Sequence, residues 1–217
     1  MKKRSYELKL RRQICEVGYI LWQMGFAAGT DGNISVKLPD GAFLITPSGV
    51  SKRLLRPETL VKINGGTAEK KSGGKPSTEI GAHLCCYGER GDISAVIHAH
   101  PPVATGFAAA GIAPDDASLT EAVIFLGTVP VAPFAVPGSD GVSESIAPLI
   151  REHDAILLAN HGALTVGSDL TRALYNMETL EHYAKVSLTA RQLGGAKPLS
   201  PEDAEKCAAL RPPRREG

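Results

Sequence analysis

Apolar residues near the N-terminus recur at three- and four-residue steps. Tyr6, Leu10, Ile14, Val17, Leu21 and Met24 share one face, with charges between them. That period predicts an amphipathic helix over 5–25, stopped at Gly25. The glycine-rich "GFAAGTDGNIS" follows. "ISVKL" and "AFLIT" predict two strands joined by a hairpin turn at "PDG", and "TPSG" breaks the second. A strand near "TLVKI" and a lysine-rich loop, "NGGTAEKKSGGKP", precede "STEIGAHLCCYGER", a predicted helix with Ser77 or Thr78 near its N-cap. "ISAVIHAH" predicts a strand and "VATGFAAAG" a helix of small residues. "AVIFLG" and "VPVAPF" predict further strands, and "SESIAPLIREH" a helix shortened or kinked by Pro148. "AILLANHGALTVG" predicts strand, tight turn and strand. "DLTRALYNMETLEHYAKVSLTARQLGG" predicts a long helix closed by Gly194 and Gly195.

These elements describe one α/β domain over residues 1–200, with a central, mostly antiparallel sheet and helices against it. Residues 201–217 form a C-terminal tail, expected to be partly disordered. The chain has 217 residues, enough for one sizeable core. A formal net charge of +1 leaves no electrostatic footprint for nucleic acid. Runs such as "AILLA" are far below membrane-spanning length, so no membrane partner is expected. The basic N-terminal stretch is interrupted by Glu7, and no apolar core of a signal peptide follows it. Cys15, Cys85, Cys86 and Cys207 form no C-x-x-C pair, neither a disulfide framework nor a thiolate zinc site. A cytoplasmic location with reduced thiols is the expectation.

"VIHAHPP" carries the first chemistry. Residues i and i+2 of a strand point to one face, so His98 and His100 aim both imidazoles the same way at the strand's end. Two histidines on one face of an apolar strand need partners for four ring nitrogens, and a metal ion would satisfy two of them. His161, in "ANHGAL", follows another apolar strand, with Gly162 allowing an unusual backbone. Three imidazoles make a facial set for Zn²⁺ or a similar divalent ion, with an open position. Glu79, at the start of a helix, is a candidate fourth ligand or general base; the alternative is a capping glutamate. His83, one turn further on, reads as structural or as a support to the ligands. His153 reads as solvated, and His182 as packing against Glu178.

No Walker-type or dinucleotide-type glycine motif occurs. Three small-residue loops could instead hold a phosphate through backbone N–H groups and hydroxyls. "GTDGN" offers Gly32 and Asn33, "TPSG" offers Ser48 and Gly49, and "KPSTE" offers Ser77 and Thr78, directly before Glu79.

"GTDGNIS", "LITPSG", "KPSTE", "VIHAHP" and "NHGAL", in this order, resemble the class II aldolase/adducin family. The resemblance implies a nine-stranded, mostly antiparallel sheet between helices. It also implies a homotetramer with active sites between subunits. His98, His100 and His161 would bind the metal, most simply Zn²⁺, with Mn²⁺, Co²⁺ or Fe²⁺ also suited. Glu79 would be the fourth ligand and would leave the metal to act as acid/base when substrate arrives. Gly32, Asn33, Ser48, Gly49, Ser77 and Thr78 match the positions that hold the substrate phosphate. The implied reaction is aldol cleavage of a ketose 1-phosphate, of fuculose, 5-deoxyribulose or 5-methylthioribulose type, to dihydroxyacetone phosphate and an aldehyde through a metal-stabilised enediolate.

The chain departs from that pattern in one respect. The catalytic tyrosines of the fuculose enzymes have no counterpart in "SLTEAVIFLG" or in the tail. Glu121 lies near where a carboxylate acts in related methylthioribulose-phosphate dehydratases and is a second acid/base candidate. Dehydratase and sugar-acid phosphate decarboxylase are therefore the alternatives on this fold. Related epimerases carry aspartate where Glu79 stands, and non-enzymatic adducin-like modules lose the metal ligands that this chain keeps.

Overall fold

The computed structural model describes residues 2–64, 67–68, 74–114 and 117–214. The lysine-rich loop expected after the third strand falls mostly outside them. The N-terminal helix α1 is Lys2–Gln23, and β1 (Asn33–Lys37) and β2 (Phe43–Ile45) form the expected hairpin. β3 (Val61–Asn64) and the two-residue β4 (Thr67–Ala68) follow, then α2 (Ile80–Glu89), β5 (Ala95–Ala99) and α3 (Pro102–Ala110). The second half comprises α4 (Thr120–Phe125), β6 (Val131–Ala132), α5 (Asp140–Ile150), β7 (Ala155–Leu158), β8 (Gly162–Gly167), α6 (Leu170–Gln192) and α7 (Pro201–Ala209). Among the described residues no helix is long and apolar enough to cross a membrane.

One sheet runs β4-β3-β2-β1-β5-β8-β7-β6, antiparallel except for the β6–β7 pair. Eight strands are present among the described residues where nine are expected from the resemblance. "AVIFLG" accounts for one further difference: it is the helix α4, not a strand. Its apolar run is rich in the side chains that favour strands. It packs on α6 and α7 instead, and Arg211 donates to the carbonyls of Val123 and Ile124 at its end. In the tail, Pro201–Ala209 are helical, capped by the Ser200 hydroxyl, which accepts from the Asp203 N–H.

The two faces of the sheet bury different helices. Ala95, Ile97 and Ala99 of β5 join the core formed with α1, α3 and α6, whereas Val96 joins α2 and α5. Each fully buried isoleucine or leucine here contributes roughly 1.5–3 kcal/mol. The alternation fixes direction: His98, two residues after Val96, points to the α2 side. Pro101 and Pro102 then end the strand, because Pro102 occupies the first helical position of α3, where a missing N–H costs nothing. Glu181 of α6 is buried, and its carboxylate accepts from the N–H groups of Val103 and Ala104. That contact anchors the chain as it leaves the histidines.

Candidate metal centre

β5 lies between β1 and β8, which sets His98 opposite Asn33 on one side and Leu164 on the other. His98 is buried, and its Nδ1–H donates to the carbonyl of Ala163 at 2.9 Å. Nε2 is therefore left as a lone-pair donor to a metal. His100 follows the strand, held by its own N–H, which donates to the Phe26 carbonyl at 2.8 Å. Its Nδ1 faces Asp31 Oδ2 at 3.5 Å, which turns its Nε2 toward His98. His161 enters from the β7–β8 turn. Its ring centroid is 4.6 Å from that of His98 and 5.1 Å from that of His100.

The ligating atoms of the three imidazoles lie within 4.8 Å of one another. The Nε2 atoms of His98 and His100 are only 3.2 Å apart. With both Nδ1 atoms turned to oxygens, the two Nε2 atoms converge on one point, where a cation would be held. Burial, then the neighbouring imidazoles, hold the pKa of His98 well below the ordinary value; burial first and His161 next lower that of His100. Both are thus kept in the neutral, ligating form, and the donor set fits a divalent metal.

Glu79 is the N-cap of α2, and its N–H donates to the Ser77 hydroxyl at 3.3 Å. Its side chain serves another purpose than capping. Oε1 lies 3.4 Å from His161 Nε2, and Oε2 lies 3.6 Å from His98 Nε2. Oε2 also accepts from Asn33 Nδ2 at 2.7 Å. The carboxylate therefore faces the donor atoms from the α2 side, as the fourth-ligand or general-base reading requires.

The three small-residue loops converge beside it. Ser48 N–H donates to the Lys75 carbonyl, Ser77 N–H to the Thr46 carbonyl, and Pro47 bridges to Pro76. Ser48, Gly49, Ser77 and Thr78 are thereby brought to one place. Gly32 adopts φ +75°, and a Cβ there would stand 2.9 Å from the His98 carbonyl, so only glycine fits. Asn33 behaves differently from its loop neighbours: both ends of its amide are taken, by Glu79 and by His83. Its side chain is committed to those two residues.

Lys52 escaped the sequence reading. It is 2% exposed, and its Nζ donates to the carbonyls of Thr30 and Val50, both at 2.9 Å. It ties the "GTDGN" loop to the "TPSG" loop. Burial brings its pKa down to about 8, against the pull of Asp31 and Glu79. Next to Arg53 in sequence, it reads as another solvated base. Its backbone packs against Gly18 of α1, where a Cβ would stand 3.0 Å from the Lys52 carbonyl.

Gly162 is required for a reason other than the expected one. The left-handed residue of this turn is Asn160, at φ 56°. A Cβ on Gly162 would instead meet His100 Cδ2 at 2.5 Å and the Ala99 carbonyl at 2.7 Å. Gly162→Ala should therefore displace the His100 ring and weaken Zn²⁺ binding by roughly 10–100-fold. Calorimetric titration of the folded variant checks this; unaltered affinity would show that the close approach is dispensable. Glu121 stands in the exposed first turn of α4, accepting from the Thr120 hydroxyl at 2.8 Å. Its own backbone N–H first, and Thr120 next, hold its carboxyl below the usual range. Among the described residues no hydrogen bond or ion pair joins it to the histidines.

The family model described as "Class II Aldolase and Adducin N-terminal domain" matches residues 12–188. A 3-oxo-tetronate 4-phosphate decarboxylase from Pectobacterium atrosepticum is 37% identical over 186 residues, 84% of this chain and 85% of its own. An L-fuculose phosphate aldolase from Haemophilus influenzae is 31% identical over 191 residues, 88% of each chain. A solved L-fuculose 1-phosphate aldolase superposes with a TM-score of 0.86 at 30% identity, covering 93% of this chain and 95% of that one.

Proposed function

The chain belongs to the class II aldolase and adducin family, and from that premise we propose that it is a metal-dependent lyase releasing an enediolate from a phosphorylated sugar or sugar acid. The observation that carries this is the facial set of His98, His100 and His161 with one carboxylate, Glu79, turned toward the Nε2 atoms of His98 and His161. A divalent ion held there, Zn²⁺ being our choice, supplies a Lewis acid for the negative charge that develops beside the substrate ketone. The loops of Gly32, Ser48, Gly49, Ser77 and Thr78 orient the substrate phosphate against that charge, with Lys52 holding two of them together. Glu79 carries the proton.

Decarboxylation and aldol cleavage meet at one species. A 3-oxo-tetronate 4-phosphate has its carboxylate β to the ketone. Loss of CO₂ leaves the bonding pair on C2 as an enediolate, and one proton completes dihydroxyacetone phosphate. A ketose 1-phosphate reaches the same enediolate by losing an aldehyde, but a base must also take the proton of the departing hydroxyl. Among the described residues two carboxylates lie near the cluster and divide unequally: Glu79 faces the Nε2 atoms of His98 and His161, whereas Asp31 faces His100 Nδ1 on the far side. One proton carrier suffices for decarboxylation, which makes a 3-oxo sugar-acid phosphate the favoured substrate class. The likeness to L-fuculose phosphate aldolase supports aldol cleavage as the second reading, with Glu121 as the further acid/base group if a neighbouring subunit brings it close. Exposed Tyr19, Leu54, Phe134 and Val136 fit burial in a homotetramer with sites between subunits.

The test incubates metal-loaded protein with 3-oxo-tetronate 4-phosphate and, separately, with L-fuculose 1-phosphate. Dihydroxyacetone phosphate and CO₂ from the first are expected. Aldehyde from the second without CO₂ from the first would move the assignment to the aldolase. A dehydrated product in place of dihydroxyacetone phosphate would overturn both.

A further inference from the structure

A line of buried polar groups runs from Glu79 into the core between the sheet and α2. Asn33, Ser35 and His83 are each no more than 2% exposed, and Tyr87 is 7% exposed. Their chemistry fixes the direction of every hydrogen bond. A carboxylate only accepts, so the Asn33 atom 2.7 Å from Glu79 Oε2 is Nδ2, and Oδ1 points the other way. Oδ1 only accepts, so the His83 Nε2 beside it carries the proton and donates. Burial first, then His98, lowers the pKa of His83 to about 3, so the ring is neutral and has a single N–H. Its Nδ1 must accept, and the Ser35 hydroxyl 2.6 Å away donates to it. With that proton spent, Ser35 Oγ accepts from the Tyr87 hydroxyl at 2.9 Å.

We propose that His83, supported by Ser35 and Tyr87, is a positioning residue that locks the Asn33 amide with its NH₂ toward Glu79 and so holds the Glu79 carboxylate against the His98 and His161 donor atoms. An asparagine amide has nearly the same shape when flipped. Flipped, Asn33 would set its oxygen against the carboxylate and its NH₂ against the His83 N–H, two repulsive contacts in place of two bonds. The lock rests on the acid/base role given to Glu79 above, but its hydrogen-bond directions do not depend on any reaction.

Two variants of the full chain test it. His83→Met fills the space without a donor, whereas His83→Gln returns an N–H close to the Nε2 position. His83→Met should lower kcat by roughly 10–100-fold with KM unchanged, and His83→Gln should recover most of it. In a Glu79→Gln background, His83→Met should add little further loss, since both changes act through one group. Equal impairment of the Met and Gln variants, or full additivity with Glu79→Gln, would overturn the proposal. The ¹⁵N spectrum of the His83 ring in the protein, with and without Zn²⁺, should show the Nε2–H tautomer. The Nδ1–H form would overturn the lock even if the substrate assignment holds. The Nε2–H form would stand even if neither substrate turned over.

Discussion

Glu79→Gln is expected to retain its metal and lose roughly 10²–10⁴ of turnover, the range for removing a positioned proton carrier. The substitution keeps the side chain's shape. It can still accept from Asn33 Nδ2, which now lies 2.7 Å from Oε2. His98, His100 and His161 are untouched, and they alone bring three ligating nitrogens within 4.8 Å. An amide cannot take up or deliver the proton that converts an enediolate into a ketone. Metal content by elemental analysis and kcat at saturating substrate measure the two halves. A fully active variant would refute the proton-carrying role. A variant stripped of metal would instead make Glu79 chiefly a ligand.

His98→Ala is expected to abolish metal binding and with it all turnover. This side chain sits between the other donors: its Nε2 is 3.2 Å from His100 Nε2 and 3.6 Å from Glu79 Oε2. Losing a direct ligand should cost more than the roughly 10–100-fold typical of losing an outer partner of a metal site. The variant also leaves the Ala163 carbonyl without its donor, a cost of about 1–3 kcal/mol. Thermal unfolding of the metal-free proteins separates the two effects. A melting temperature lowered modestly, with zinc absent from the folded variant, is the expected pair of results. Near-native zinc content would sink the assignment of His98 as a ligand.

The three-histidine cluster was readable because local rules reach it. The period of two in "VIHAH" decides that His98 shares a face with Val96, and the apolar runs before His98 and His161 announce strands ending at one level of a sheet. Glu79 was readable as the residue opening α2. "AVIFLG" was misread because its residue types favour strands while its packing partners, α6, α7 and Arg211, lie far along the chain, Arg211 at 87 and 88 positions from the carbonyls it binds. Gly162 was identified for the wrong cause, since a clash with the His100 ring is invisible along the chain.

By itself, then, the sequence determined most of the order of elements, the three-histidine set and the small-residue loops, all of which follow from neighbours a few positions apart. Only the tertiary structure decided the rest. It committed the Asn33 amide to Glu79 and His83, across 46 and 50 residues, and drew Lys52 beneath two loops. It also left Glu121 outside the cluster within this chain. The physical reason is desolvation. Once Asn33, His83 and Lys52 are out of water, each must find partners among whatever groups the fold brings near, and no pattern along the chain names those groups.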